Sequence, residues 1–185
     1  MDPIGKVPAI HPKPTIGRRL DATARACFPA FVTTFLMLLT LAPFGFADQS
    51  QLLPAITLNC VWFWSLYRPT QMPAIAVFAT GLLLDLLGYL PLGVGVLTLL
   101  ATHGLAVKLR RILLKRGDFL LIWLVFAAVA SGGAVLMLAL TCALSLRLLS
   151  PTPAVFQAAL TVALYPAIAI LFVRAHRTVA DPAQA

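Results

Sequence analysis

Residues 72–107 form an apolar run of 36 residues whose only acidic or basic side chains are Asp85 and His103. As one straight helix this run would rise about 54 Å, at about 1.5 Å per residue. The hydrocarbon core of a bilayer is only about 30 Å thick. The segment must therefore fold back on itself. Gly88-Tyr89-Leu90-Pro91-Leu92-Gly93 is its one strong turn signal. It predicts an antiparallel pair of helices, roughly residues 73–87 and 92–107.

The rest of the chain has the same character. Hydrophobic residues make up 61% and charged residues 11%, with a mean hydropathy of +0.94. Soluble domains are about 45–50% apolar and about 25% charged. An ordinary soluble enzyme, a disordered tail and a fibrous protein are thereby excluded. All six acids are Asp, and the absence of Glu fits a chain with little water-facing helix surface. Residues 27–47 are uncharged and too long for the core of a cleaved signal peptide, so they predict a retained first crossing. Residues 51–67 form a short second segment. Pro54 suits its first turn, and Trp62, Trp64 and Tyr67 at its far end read as an aromatic belt at the membrane boundary. Residues 119–146 and 152–173 supply the fifth and sixth segments. Pro166 lies late in the last one and is expected to kink it, which membrane helices tolerate when a neighbour satisfies the freed carbonyl.

The expected fold is thus all-α: a polytopic membrane protein of six transmembrane helices. Three parts are expected, a basic, disordered cytoplasmic tail (1–26), the six-helix domain (27–173) and a short cytoplasmic tail (174–185). Basic residues total 14. With both termini cytoplasmic, all but Arg147 fall on the cytoplasmic side, as the positive-inside rule requires. A four-crossing arrangement, with residues 51–67 re-entrant and 72–107 crossing once, satisfies the same parity but not the length argument. Arg68 separates the two: cytoplasmic with six crossings, external with four.

No segment outside the helices is long enough for a domain. The proline-rich N-terminal tail reads as a topology signal, with a docking site for a cytoplasmic protein as the alternative. In the central loop, Lys108, Arg110, Arg111, Lys115 and Arg116 surround Leu109, Ile112 and Leu113, an amphipathic extension suited to a membrane surface rich in anionic lipid. Contact with a cytoplasmic partner is the alternative there. Gly117 and Asp118 read as a helix stop and a cap. Asp85 is the one acid within an apolar helix, and such residues are functional candidates. It lies three residues before Gly88, so it either braces the turn, near the outer interface and hydrated, or contacts a partner or ligand. In the hairpin it faces position 94, which leaves His103 about 13 Å away along the axis and argues against a proton relay. Gly81, Gly88, Gly93, Gly95 and the stretch Ser131-Gly132-Gly133-Ala134 mark close helix contacts, within the chain or to a second membrane protein. Cys27, Cys60 and Cys142 lack metal-ligand spacing and read as small buried hydrophobes. No nucleophile, base and orienting group can be assembled, and neither a cofactor nor nucleic acid is implied.

Three motifs occur in order: Phe63-Trp64-Ser65-Leu66-Tyr67-Arg68-Pro69, then Phe78-Ala79-Thr80-Gly81-Leu82-Leu83-Leu84-Asp85-Leu86-Leu87-Gly88, then Pro91-Leu92-Gly93. Together they resemble the MreD family of rod-shape-determining membrane proteins, with Phe63 where that family usually has Tyr. Leu164-Tyr165-Pro166, followed by Arg174 and Arg177, resembles its last helix and basic tail. The resemblance implies a non-enzymatic inner-membrane subunit of the bacterial cell-elongation machinery. Its implied partners are the membrane-anchored protein MreC and, directly or indirectly, MreB filaments, RodA and a class B penicillin-binding transpeptidase. It marks Trp64, Arg68, Pro69, Gly81, Asp85, Gly88, Pro91 and Gly93 as candidate interaction residues. It also implies a bundle like the S-components of vitamin transporters, so a small-molecule-binding transport subunit is the alternative function.

Overall fold

The computed structural model describes residues 16–42 and 51–180. It contains α1 (Ile16–Leu39), α2 (Leu52–Tyr67), α3 (Ala74–Leu87), α4 (Val94–Arg116), α5 (Phe119–Ser145) and α6 (Thr152–Ala180). No strand occurs among the described residues. The long apolar run folds back where the glycines and Pro91 interrupt it. α5 and the stretch Thr152–Phe172 of α6 are each long and apolar enough to cross a membrane. α2 and α3, with 16 and 14 residues, rise only about 24 and 21 Å.

α2 is the axis of the bundle. It packs against α1, α3, α4 and α6, while α3–α4 and α4–α5–α6 close around it. Thirteen of its sixteen residues are buried. Its sequence shows why: apolar side chains occupy every face, and such a helix is stable only when enclosed. The other helices turn one face inward and leave large apolar side chains outside, among them Phe31, Ile75, Leu97, Val135 and Val155. The buried interior holds Thr57, Asn59, Ser65, Thr80, Asp85, Thr98, Thr102, Gln157 and Thr161. Water-soluble monomers do not carry apolar faces of this extent. Polar groups inside and hydrocarbon outside is the arrangement a lipid solvent favours.

The enclosure of α2 corrects the expected aromatic belt. Trp62 is fully buried and Trp64 is 5% exposed. Trp62 packs on Phe126 at 5.5 Å between ring centroids, and Trp64 packs on Phe28, Phe63 and Phe172. Only Tyr67, of the three, reaches the surface. Large aromatic rings serve a boundary and a bundle centre equally well, so composition did not separate the two.

The ends of the outer helices also differ from expectation. α1 starts eleven residues before Cys27, so the second half of the expected tail is helical; residues 1–15 lie outside the described residues. α1 stops at Leu39 rather than reaching position 47. Leu41 and Ala42 bond back to Leu38 and Leu39 in tightened turns, and Pro43 then removes the next donor and disfavours helix in the residue before it. α6 continues to Ala180, past the expected end at 173, and runs through Pro166. Proline lacks the N–H that would reach the carbonyl of Val162. Trp123 on α5 fills that role, its indole Nε1–H donating to the Val162 oxygen at 3.1 Å. Asn59 ties α2 to the same region, donating to the carbonyls of Ala55 at 2.8 Å and Thr161 at 3.0 Å.

Candidate functional site

The α3–α4 hairpin is built around Asp85. Gly81, Asp85 and Gly88 are spaced four and three residues apart, so they lie along one side of α3. α3 ends at Gly88, whose N–H bonds the Leu84 carbonyl at 2.8 Å, and Leu90 N–H reaches back to the Asp85 carbonyl at 3.0 Å. This six-residue closure needs one left-handed residue. Tyr89 takes it, with φ 52° and its side chain almost wholly exposed. Gly93 then adopts φ 101° and starts α4, a conformation that side chains with a Cβ resist.

The first N–H groups of α4 have no partner within their own helix. Asp85 supplies it from across the hairpin. One carboxyl oxygen accepts from Gly95 N–H at 2.6 Å, and the other accepts from Gly93 N–H at 2.8 Å and, more weakly, Val96 N–H at 3.5 Å. The side chain is 1% exposed. The carboxyl group therefore braces the turn, facing position 94 as the hairpin geometry required, but in the interior rather than in a hydrated boundary. Two glycines make room for it. A Cβ on Gly81 would stand 2.6 Å from the Val96 Cα, and one on Gly95 would stand 2.5 Å from the nearer Asp85 oxygen.

The other motif residues form a second cluster at the opposite end of α2. Trp64 anchors it in the aromatic interior. Arg68 ends α2, its N–H bonded to the Trp64 carbonyl at 2.8 Å, and the Arg68 and Pro69 carbonyls accept from Gln71 and Met72 in the turn to α3. Arg110 Nε donates to the Leu66 carbonyl at 2.9 Å, a cation at a helix C-terminus where it is favoured. Ser65 Oγ and His103 Nδ1 are 2.7 Å apart, so His103 is tied to α2 and not to Asp85. The motif thus fixes the α3–α4 turn at one end of α3 and the α2–α3 turn at the other. Gly88 and Pro91 belong to the turn itself, Pro91 accepting from Val94 N–H at 3.2 Å.

The basic extension continues α4 to Arg116 and stops at Gly117, left-handed at φ 65°. Asp118 caps α5 by accepting from Leu120 N–H at 3.0 Å. Lys108, Arg111, Lys115 and Arg116 are exposed, while Arg110 is half-buried. Leu113 turns into the bundle and Ile112 outward, so the expected single apolar stripe is split between core and surface. Of the expected close-packing residues on α5, a Cβ on Gly133 would touch Leu58 and Thr98, each at 3.4 Å, but Gly132 has open space where its Cβ would be. Cys60 is buried as expected; Cys142 is half-buried, its sulfur accepting from Leu149 N–H at 3.4 Å, and the side chain of Cys27 lies outside the described residues.

The roles of Arg110, Ser65 and Trp123 were not visible in the sequence, because each acts on a backbone or side chain from another helix. Gly95 had a signal, the Gly-x-Gly spacing with Gly93.

A family model described as rod shape-determining protein MreD matches residues 23–175. The chain belongs to the MreD family. That match spans the hairpin, both motif clusters and all but the N-terminal part of α1 and the last residues of α6. The MreD family is a family of membrane proteins that act in determining rod shape, and it is not a known enzyme family. No curated protein and no solved structure matches the chain.

Proposed function

We propose that this MreD-family protein is a scaffold subunit of the cell-elongation machinery, crossing the bacterial inner membrane six times with both termini cytoplasmic. It binds MreC and so helps couple MreB filaments to peptidoglycan synthesis by RodA and a class B transpeptidase. The observation that carries this reading is the use of Asp85. This acid, inside α3, has both oxygens engaged by backbone N–H groups, so the motif builds a braced hairpin and not a reactive centre. The charge distribution supports the orientation, and the family supports the process. Lys108, Arg111, Lys115 and Arg116 face the anionic cytoplasmic leaflet.

A second reading has one observation behind it. A cavity of about 300 Å³ lies between α2, α3, α5 and α6, lined by Gln51, Leu84, Thr141 and Gln157. This is at the lower end of small-molecule sites, about 300–1,000 Å³. Depletion of the protein from a rod-shaped host separates the two. Rods rounding into spheres within a few generations is the expected result; cells that keep their shape but lose uptake of a nutrient would replace the scaffold with the S-component-like reading.

A further inference from the structure

A groove of about 410 Å³ runs between α4 and α5 on the outside of the bundle. Thr98, Leu105 and Leu109 form one wall, and Ala128, Gly132 and Leu136 the other. It extends about 16 Å along α4 from Thr98 to Leu109. Its walls are almost wholly apolar, and Gly132 leaves its floor open. The helical repeat sets what stands at its end. Arg116 is eighteen residues, five whole turns, from Thr98 and so lies in line with the groove. Lys108 stands on its rim, three residues from Leu105. Both are exposed. Asp118, the acid nearest that end in sequence, is turned to its own helix as the cap of α5.

We infer that this groove binds one anionic phospholipid, with an acyl chain between α4 and α5 and its phosphate at Arg116 and Lys108. The inference rests on the membrane placement proposed above. Charge selects the occupant. A transmembrane helix of a partner carries its own Lys and Arg at the cytoplasmic end, where they would meet Arg116 and Lys108 with like charge. A phosphate at that depth is attracted by both.

The purified protein in detergent, titrated with phosphatidylglycerol or phosphatidylcholine and read by native mass spectrometry, tests this. Wild type is expected to hold one phosphatidylglycerol at least about tenfold more tightly than phosphatidylcholine. Each basic side chain near an anionic headgroup is worth about fivefold. Lys108→Gln with Arg116→Gln should therefore weaken phosphatidylglycerol about 25-fold and phosphatidylcholine, whose choline already offsets its phosphate, far less. Gly132→Leu, or Ala128→Leu if the first variant loses its helical circular dichroism, fills the groove and should weaken both lipids about tenfold. Equal binding of the two lipids by wild type overturns the inference. So does unchanged binding in the filled variants, the outcome expected if the groove seats a partner's helix. Failure of the membrane placement looks different: the protein would be recovered in water without detergent, whatever its lipid preference.

Discussion

Asp85→Ala is expected to lower the unfolding free energy of the detergent-solubilised protein by about 3 kcal/mol or more. A hydrogen bond contributes about 0.5–1.5 kcal/mol net, and a buried donor left without a partner costs about 1–3 kcal/mol. The substitution strips the acceptor from the N–H groups of Gly93 and Gly95, and from the weaker Val96 contact. The side chain is 1% exposed, so the freed donors face protein and not bulk solvent. Asp85→Asn should fall between the two, because it keeps one acceptor oxygen but points an amide donor at another donor. Denaturant titration followed by near-ultraviolet circular dichroism reads the difference. The same pair of variants separates bracing from partner contact. If Asp85 served a partner or ligand, the alanine variant would unfold like wild type and lose only its ability to restore rod shape.

The second large effect is expected at Gly81. A single added methyl there meets the backbone of Val96, and a backbone atom cannot rotate away as a side chain can. α3 and α4 must separate, which also lengthens the Asp85 bonds. Gly81→Ala should destabilise by about 1–3 kcal/mol, the usual cost of overpacking. Gly132→Ala is the matched control. Its methyl enters open space, and relief of glycine's backbone entropy should stabilise by about 0.5–1 kcal/mol. Opposite signs for one chemical change on two apolar helices would be hard to obtain unless the α3–α4 approach is as close as described. Equal effects would refute that approach.

What the sequence revealed and what it hid follow a physical line. Local and periodic features were legible. The hairpin came from the length of residues 72–107 and one glycine-proline cluster, and counting back from that turn placed Asp85 opposite position 94. Gly117 and Asp118 announced their caps because capping uses neighbours in the chain. Features depending on which helix lies next door were not legible. Trp62 and Trp64 looked like boundary residues until α1, α5 and α6 proved to surround them. Arg110 looked like one more surface cation and instead holds the end of α2. Gly132 looked like a packing residue because it sits beside Gly133, but the two face different ways. The need for a donor at Val162 was readable from Pro166; that Trp123 supplies it was not.

The placement of the chain in the membrane underlies everything proposed for it, and accessibility of two engineered cysteines tests it most directly. In a chain whose own cysteines are replaced by alanine, Arg68→Cys and Tyr89→Cys place one thiol at each end of α3. Arg68 contributes its backbone N–H to the end of α2, which cysteine retains, and Tyr89 is 97% exposed. In intact cells, an impermeant thiol reagent should label Tyr89→Cys and spare Arg68→Cys, which should react only with a permeant reagent or after permeabilisation. Labelling of Arg68→Cys from outside would contradict six crossings with cytoplasmic termini.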